Sequence, residues 1–214
     1  MPDRLAVLRE RIAELGLDAI VITHPSNRYY LTGYTGDDIP PNESGGHVIV
    51  TADRAVLVTS TVNSEQARQQ ASGFEVFDRV YGLTEADATL LTEMGVRRVG
   101  FEDKAILYQD HRTLTERLGD GVELVPVGTL VDDMRVIKTS DEITKIARAI
   151  EVTDRAFEQV AATIQAGDRE RDIAWRLESA MRELGASGPS FPTIVASGPN
   201  AALPHHDPGD RQIQ

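Results

Sequence analysis

The sequence predicts an α/β layer domain with a mixed sheet and flanking helices, followed by a helix-dominated α+β region. Three observations carry this. Short β-rich apolar runs alternate with amphipathic helical segments through roughly the first 130 residues. Two of those runs flank Ala52-Asp53-Arg54 as a hairpin, which adds an antiparallel pair to a sheet otherwise built by crossovers. The pattern then changes at Thr139, where a Thr-x-x-Glu capping box opens a long one-sided apolar stripe.

Taken in order, Leu5, Leu8, Ile12 and Leu15 recur at helical spacing, with Gly16 placed as a C-terminal cap. Ala19–Thr23 reads as a short buried strand ended by Pro25, and His47–Thr51 with Ala55–Ser60 as the hairpin. Helices are expected over Val62–Gln70, Glu85–Met94 and Leu107–Leu118, and strands over Phe74–Phe77, Arg98–Phe101 and Val122–Val125. This first domain spans residues 1–130, a linker covers 131–138, and the second domain takes in 139–214. In the second domain, Ile143, Ile146, Ala147, Ile150, Phe157, Val160, Ala161 and Ile164 form a stripe of about 25 residues closed by Gly167. Asp168 and Glu170 open a further helix, whose face carries Ile173, Ala174, Leu177, Met181 and Leu184 and which Gly185 stops. Thr193–Ser197 is the one β-like run after it.

Composition narrows the function classes. The 214 residues carry a formal net charge of −12, with 41% hydrophobic and 26% charged residues, a globular rather than disordered mixture. Residues 1–135 hold most of the negative excess, at −9 against −3 for the remainder. Nucleic acid and anionic membrane surfaces both select a basic face, so neither is expected as a partner. Zero cysteines exclude disulfides, thiolate nucleophiles and cysteine metal sites within this sequence. The apolar runs are far shorter than the ~20 residues of a membrane helix, and the charged N-terminus is unlike a signal peptide, so a cytoplasmic location is expected.

Catalytic signals are sparse. The sequence has no Gly-x-Gly-x-x-Gly, Walker loop, His-Glu-x-x-His or EF-hand spacing. Adjacent carboxylates at Asp37-Asp38 and Asp132-Asp133 point apart on any regular element and read as solvated surface. A serine nucleophile at Ser190 or Ser197 lacks an elbow and an orienting acid. Among the histidines, His47 and His111 read as surface residues. His24 stands at a strand's C-terminal end, where α/β proteins place binding groups but where a histidine can equally cap a helix or loop. His205 and His206 follow Pro204 in a Gly/Pro-rich loop and can act as loop residues or as proton carriers near neutral pH.

Four segments in order resemble the creatinase / aminopeptidase P / prolidase family, the Xaa-Pro peptidases with a pita-bread catalytic domain. They are Asn27-Arg28-Tyr29-Tyr30-Leu31-Thr32-Gly33-Tyr34, the junction Arg135–Ile143, Gly167-Asp168-Arg169-Glu170, and the stretch from Ser190 through Ser197-Gly198-Pro199-Asn200 to His205. The resemblance implies a creatinase-like N-terminal α/β domain and the first part of a pita-bread domain. It implies hydrolysis of the bond before proline in peptides, with two divalent ions (Mn²⁺, Co²⁺ or Zn²⁺) in a complete member and none held by this chain. It also assigns His205 as the substrate-binding and proton-transferring histidine by motif position, and His24 and His206 as substrate-bordering. It implies a homodimer in which the Asn27–Tyr34 segment, taken as a loop, borders a neighbour's pocket. The family's metal ligands lie downstream of the segment that ends at His205, so the expectation is a truncated, inactive N-terminal portion. The alternatives are a catalytically dead binding or dimerisation module and a creatinase-like C–N hydrolase.

Overall fold

The computed structural model describes residues 3–36, 38 and 43–214, which form two compact units divided between Ile137 and Lys138. In the first, helix α1 (Arg4–Glu14) leads to strand β1 (Ala19–Ile22) and helix α2 (Pro25–Thr32). The hairpin is β2 (His47–Thr51) and β3 (Ala55–Ser60), followed by α3 (Ser64–Gln70), β4 (Glu75–Arg79) and α4 (Leu83–Glu93). Then come β5 (Arg98–Phe101), α5 (Tyr108–Leu118), β6 (Glu123–Pro126) and α6 (Leu130–Val136). The strands form one sheet in the order β4-β3-β2-β1-β5-β6. Only β2 runs against its neighbours; β1 pairs parallel with β5, β3 with β4, and β5 with β6.

Both faces of the sheet are covered, and the strand period of two sorts the side chains. Ile20, Ile22, Val48, Val50 and Leu57 pack with Leu8 and Ile12 of α1, Ala67 of α3, and Val131 and Met134 of α6. Ala19, Val21, Ile49, Val56 and Val58 pack on the other face with Leu90 and Leu91 of α4 and Leu114 of α5. Central strands buried on both sides explain why β1 reads as an unbroken apolar run rather than an alternation.

The structure corrects several expectations here. Residues 131–138, read as a linker, begin with most of α6, whose Val131 and Met134 belong to the core. Pro25 does more than end β1: it stands at the start of α2, and Gly33 closes that helix in the left-handed region (φ 75°). The Asn27–Tyr34 segment is therefore largely helical, with Asn27 and Arg28 buried. Glu102, 4% exposed, accepts from the Thr23 and His24 N–H groups (both 2.7 Å) and from Asn27 Nδ2 (2.6 Å). Burial pushes the Glu102 carboxyl up, against the pull of those donors. Arg135 Nη1 donates to Asn27 Oδ1 at 2.9 Å, so two of the motif segments meet in space. Asp38 is no solvated carboxylate either; it pairs with Arg28 at 2.6 Å, while Asp37 lies outside the described residues.

His47 is buried, not at the surface. It is 5% exposed and its Nδ1 lies 2.6 Å from Asp87 Oδ2. Desolvation lowers its pKa, but the Asp87 charge and hydrogen bond, with Asp110 beyond, reverse that and raise it. A raised folded-state pKa contributes stability in full below the unfolded value of 6.5, and that contribution is lost as pH rises through the folded value. Thermal melts of the wild type should thus lose stability above neutrality, and Asp87→Asn should flatten that loss. Equal slopes in the two proteins would refute the pairing. His111 is half-buried and tilts over Phe101 with ring centroids 4.8 Å apart.

In the second unit, α7 (Ser140–Ala161) pairs with α8 (Glu170–Glu183) through Ala156, Val160, Ile173 and Ala180. The capping box is present in full at Thr139 and Glu142. The stripe runs past the helix: α7 ends at Ala161, and Gly167 (φ 97°) sits in the following turn, its N–H bonded to the Ile213 carbonyl. Ile143, Ile146, Ile150 and Phe157 remain exposed along α7. Thr193–Ser197 forms no strand, because its backbone finds no ladder; Ser197 N–H turns instead to a buried side chain. Among the described residues no helix is long and apolar enough to cross a membrane.

Candidate functional site

The second unit is organised around Glu170, the first residue of α8 and fully buried (0% exposed). A buried carboxylate costs free energy unless donors surround it, and here they do. Oε1 accepts from Ser197 N–H and Ser197 Oγ, each at 2.7 Å. Asn200 Nδ2 reaches both oxygens (3.2 and 3.1 Å), and His206 Nε2 lies 2.8 Å from Oε2. Burial alone pushes this carboxyl up, but the Ser197, His206 and Asn200 donors outweigh it and hold the pKa down to about 2. An ionised carboxylate only accepts, so His206 carries its proton on Nε2.

Local chain geometry makes the hub possible. The Glu170 N–H bonds to the Arg211 carbonyl, and Ile213 N–H to the Asp168 carbonyl, so the turn before α8 is clasped by residues 209–213. Asp168 in that turn pairs with Arg176, eight residues on in α8, at 2.6 Å. A single turn of 3-10 helix at Gly198–Ala202 then carries the chain from Ser197 to Pro204. Glu170 thereby ties both ends of the 197–206 loop to the start of α8.

The two loop histidines separate. His206 is half-buried, with its Nε2 engaged by Glu170. His205 is exposed, and its ring makes no hydrogen bond among the described residues. An anchored neighbour thus presents a free imidazole. His24 lies in the first unit as the N-cap of α2, its Nδ1 accepting from Ser26 N–H at 3.2 Å. Glu170 itself was missed as a site residue in the sequence, where it reads as an acidic first-turn residue; the signal available was its place in the Gly167–Glu170 segment. Among the described residues, no group of three or more His, Asp or Glu could hold a metal ion.

Comparison with known proteins places these features in context. Residues 4–137 match the Creatinase/Prolidase N-terminal domain, and residues 144–214 match Metallopeptidase family M24. The uncharacterized peptidase YqhT of Bacillus subtilis is 34% identical over 211 residues, covering 99% of this chain and 58% of the relative. A Xaa-Pro dipeptidase of Pyrococcus furiosus is 31% identical over 218 residues, covering 100% of this chain and 58% of that protein. The solved Xaa-Pro dipeptidase from Bacillus anthracis superposes with a TM-score of 0.85 at 32% identity, over 99% of this chain and 57% of its own. The chain thus spans under two thirds of the length of the relatives it matches.

Proposed function

The chain belongs to the creatinase/prolidase family, and on that premise we propose that it forms the N-terminal part of a cytoplasmic Xaa-Pro peptidase that hydrolyses the amide bond before proline. The observation that carries the proposal is the Glu170-anchored loop, which holds His206 and leaves the His205 imidazole free. The leaving group of a prolyl bond is a secondary amine, which must gain a proton as the bond breaks. An imidazole nitrogen can hold or deliver that proton, or bind the substrate's polar groups. His205 takes this role; His206 borders the substrate and fixes the loop.

The divalent ion that the M24 match implies supplies an activated water when bound. The donors present here do not fit such an ion: Glu170 is saturated by Ser197, Asn200 and His206, and His205 has no acidic companion at hydrogen-bond distance. This chain therefore contributes scaffold and imidazole, and by itself should turn over no peptide. The test is hydrolysis of Xaa-Pro dipeptides, Xaa-Pro-Xaa tripeptides and creatine by the complete protein that contains this chain, with and without Mn²⁺. Proline-peptide cleavage is the expected result. Creatine cleavage alone would replace the reading with a C–N hydrolase, and no turnover of any substrate would leave a binding or dimerisation module.

The proposal extends to a homodimer in which His24 borders the neighbour's substrate. His24→Ala should then raise KM by about threefold to tenfold with kcat nearly unchanged. Unaltered kinetics would remove His24 from the site.

A further inference from the structure

We propose that the first unit has a ligand site of its own: a crevice of about 650 Å³ outside the carboxyl ends of the parallel strands, which takes a zwitterion of amino-acid size with its carboxylate toward His47. The proposal is independent of the peptidase reading.

The position is the one where open α/β sheets bind small molecules. Thr23 follows β1, and Ser60 and Arg79 end β3 and β4; all three line the crevice, together with His47 at the start of the antiparallel β2. Its volume lies in the range of small-molecule sites.

Its polar groups are left incomplete. His47 is held through Nδ1 by Asp87 at 2.6 Å, while Nε2 makes no hydrogen bond among the described residues. On two further lining residues, Thr23 Oγ1 and Arg79 Nε are also buried without partners. Buried polar atoms are normally satisfied, so such a concentration around one cavity marks a place where a ligand completes the bonding. The first residues of α4 and α5, Leu83 and Tyr108, lie at or beside this crevice, and neither helix has a side-chain N-cap hydrogen bond. Their free N–H groups add positive potential beside His47.

Charge selects the ligand class. The crevice sets His47 and Arg79 against Glu43, Glu85 and Asp110. Asp110 already accepts from Thr84 Oγ1 at 2.9 Å, leaving carboxylate oxygen for a second donor. A simple anion would meet three carboxylates, and a simple cation would meet the Arg79 guanidinium and two helix N-termini. A molecule with both an ammonium and a carboxylate satisfies each side.

The experiment uses the whole 214-residue chain. Histidine Cε1–H resonances are followed by NMR while L-alanine, acetate and methylammonium are added separately, with His47 assigned through His47→Gln. L-alanine should shift the His47 resonance saturably and leave the other histidines in place; acetate and methylammonium should bind at least about tenfold more weakly. Thr113→Phe fills the crevice from α5 without replacing His47 or Asp87, and should abolish the shift while circular dichroism stays unchanged. This second variant decides the matter if His47→Gln fails to fold. A shift that survives in Thr113→Phe, equal binding of acetate, or no saturable shift up to about 50 mM L-alanine would overturn the proposal.

Discussion

Arg28→Ala is expected to destabilise the first unit by about 3–5 kcal/mol, the usual cost of breaking one partner out of a buried ion pair. Arg28 is 1% exposed and its guanidinium serves both oxygens of Asp38, at 2.9 and 2.6 Å, as well as the carbonyls of Gly36 (2.6 Å) and Gly46 (2.9 Å). Its cation also sits 5.5 Å from the Tyr34 ring centroid. Removing it strips these four acceptors and Ser44 Oγ (3.4 Å) of their donor at once, and leaves Asp38, 11% exposed, as a carboxylate without its counter-charge. Lysine cannot repair this, because one ammonium does not reproduce a planar fork reaching all of these oxygens. Arg28→Lys should therefore recover less than half of the loss. Urea denaturation followed by far-UV circular dichroism measures both, and a loss below about 1 kcal/mol for Arg28→Ala would show that the network is dispensable. The pH dependence gives a second check. Burial raises the Asp38 carboxyl, but Arg28, Gly45 and Ser44 together hold it below its ordinary 3.8. Its contribution is then complete above pH 3.8 and is lost as pH falls through the lower folded-state value.

If the proposed peptidase reading holds, Glu170→Gln in the complete protein should lower kcat by about 10²-fold with little change in KM, because it loosens the loop that carries His205 without deleting a proposed substrate contact. Glutamine retains one acceptor oxygen but turns an NH₂ toward donors that the carboxylate now accepts from: Ser197, Asn200 and His206. A merely structural role would lower the yield of folded protein and leave kcat per folded molecule intact. Acid titration separates the effect further. With the Glu170 pKa held down to about 2 from an ordinary 4.5, the hub's stabilisation is full above pH 4.5 and disappears toward pH 2. Trp175, the single tryptophan, lies on α8 and reports this unit. Its fluorescence should show an acid step in that window for the wild type and none for Glu170→Gln. Wild-type kcat together with an unaltered acid step would dismiss Glu170 as the anchor.

Much of the architecture was legible because it is written in local periodicity. β5 falls on Arg98–Phe101 and the capping box on Thr139 and Glu142, where residue type and spacing alone decide the outcome. The missed elements share one cause. α2 has eight residues and no apolar stripe; it is held by Glu102 and Arg135, which arrive from 75 and 108 residues away in sequence. The Asn27-Arg28 and Gly167–Glu170 segments, which carry the family resemblance, are where buried polar side chains gather. Their residue types look solvated in isolation, since nothing in the neighbouring sequence announces the donors and acceptors that distant segments bring.

Residue order and chemistry alone determined the alternation of strands and helices, the hairpin, the α7 cap, the acidity, the lack of any thiol, and the family, because each rests on interactions within a few positions or on a run of motifs. Only the tertiary structure decided that His47 is buried against Asp87, that Arg28 closes on Asp38, and that Glu170 engages His206 while His205 stands free. Those outcomes depend on which polar groups lose water together, and dehydration is a property of the packed chain rather than of any one segment.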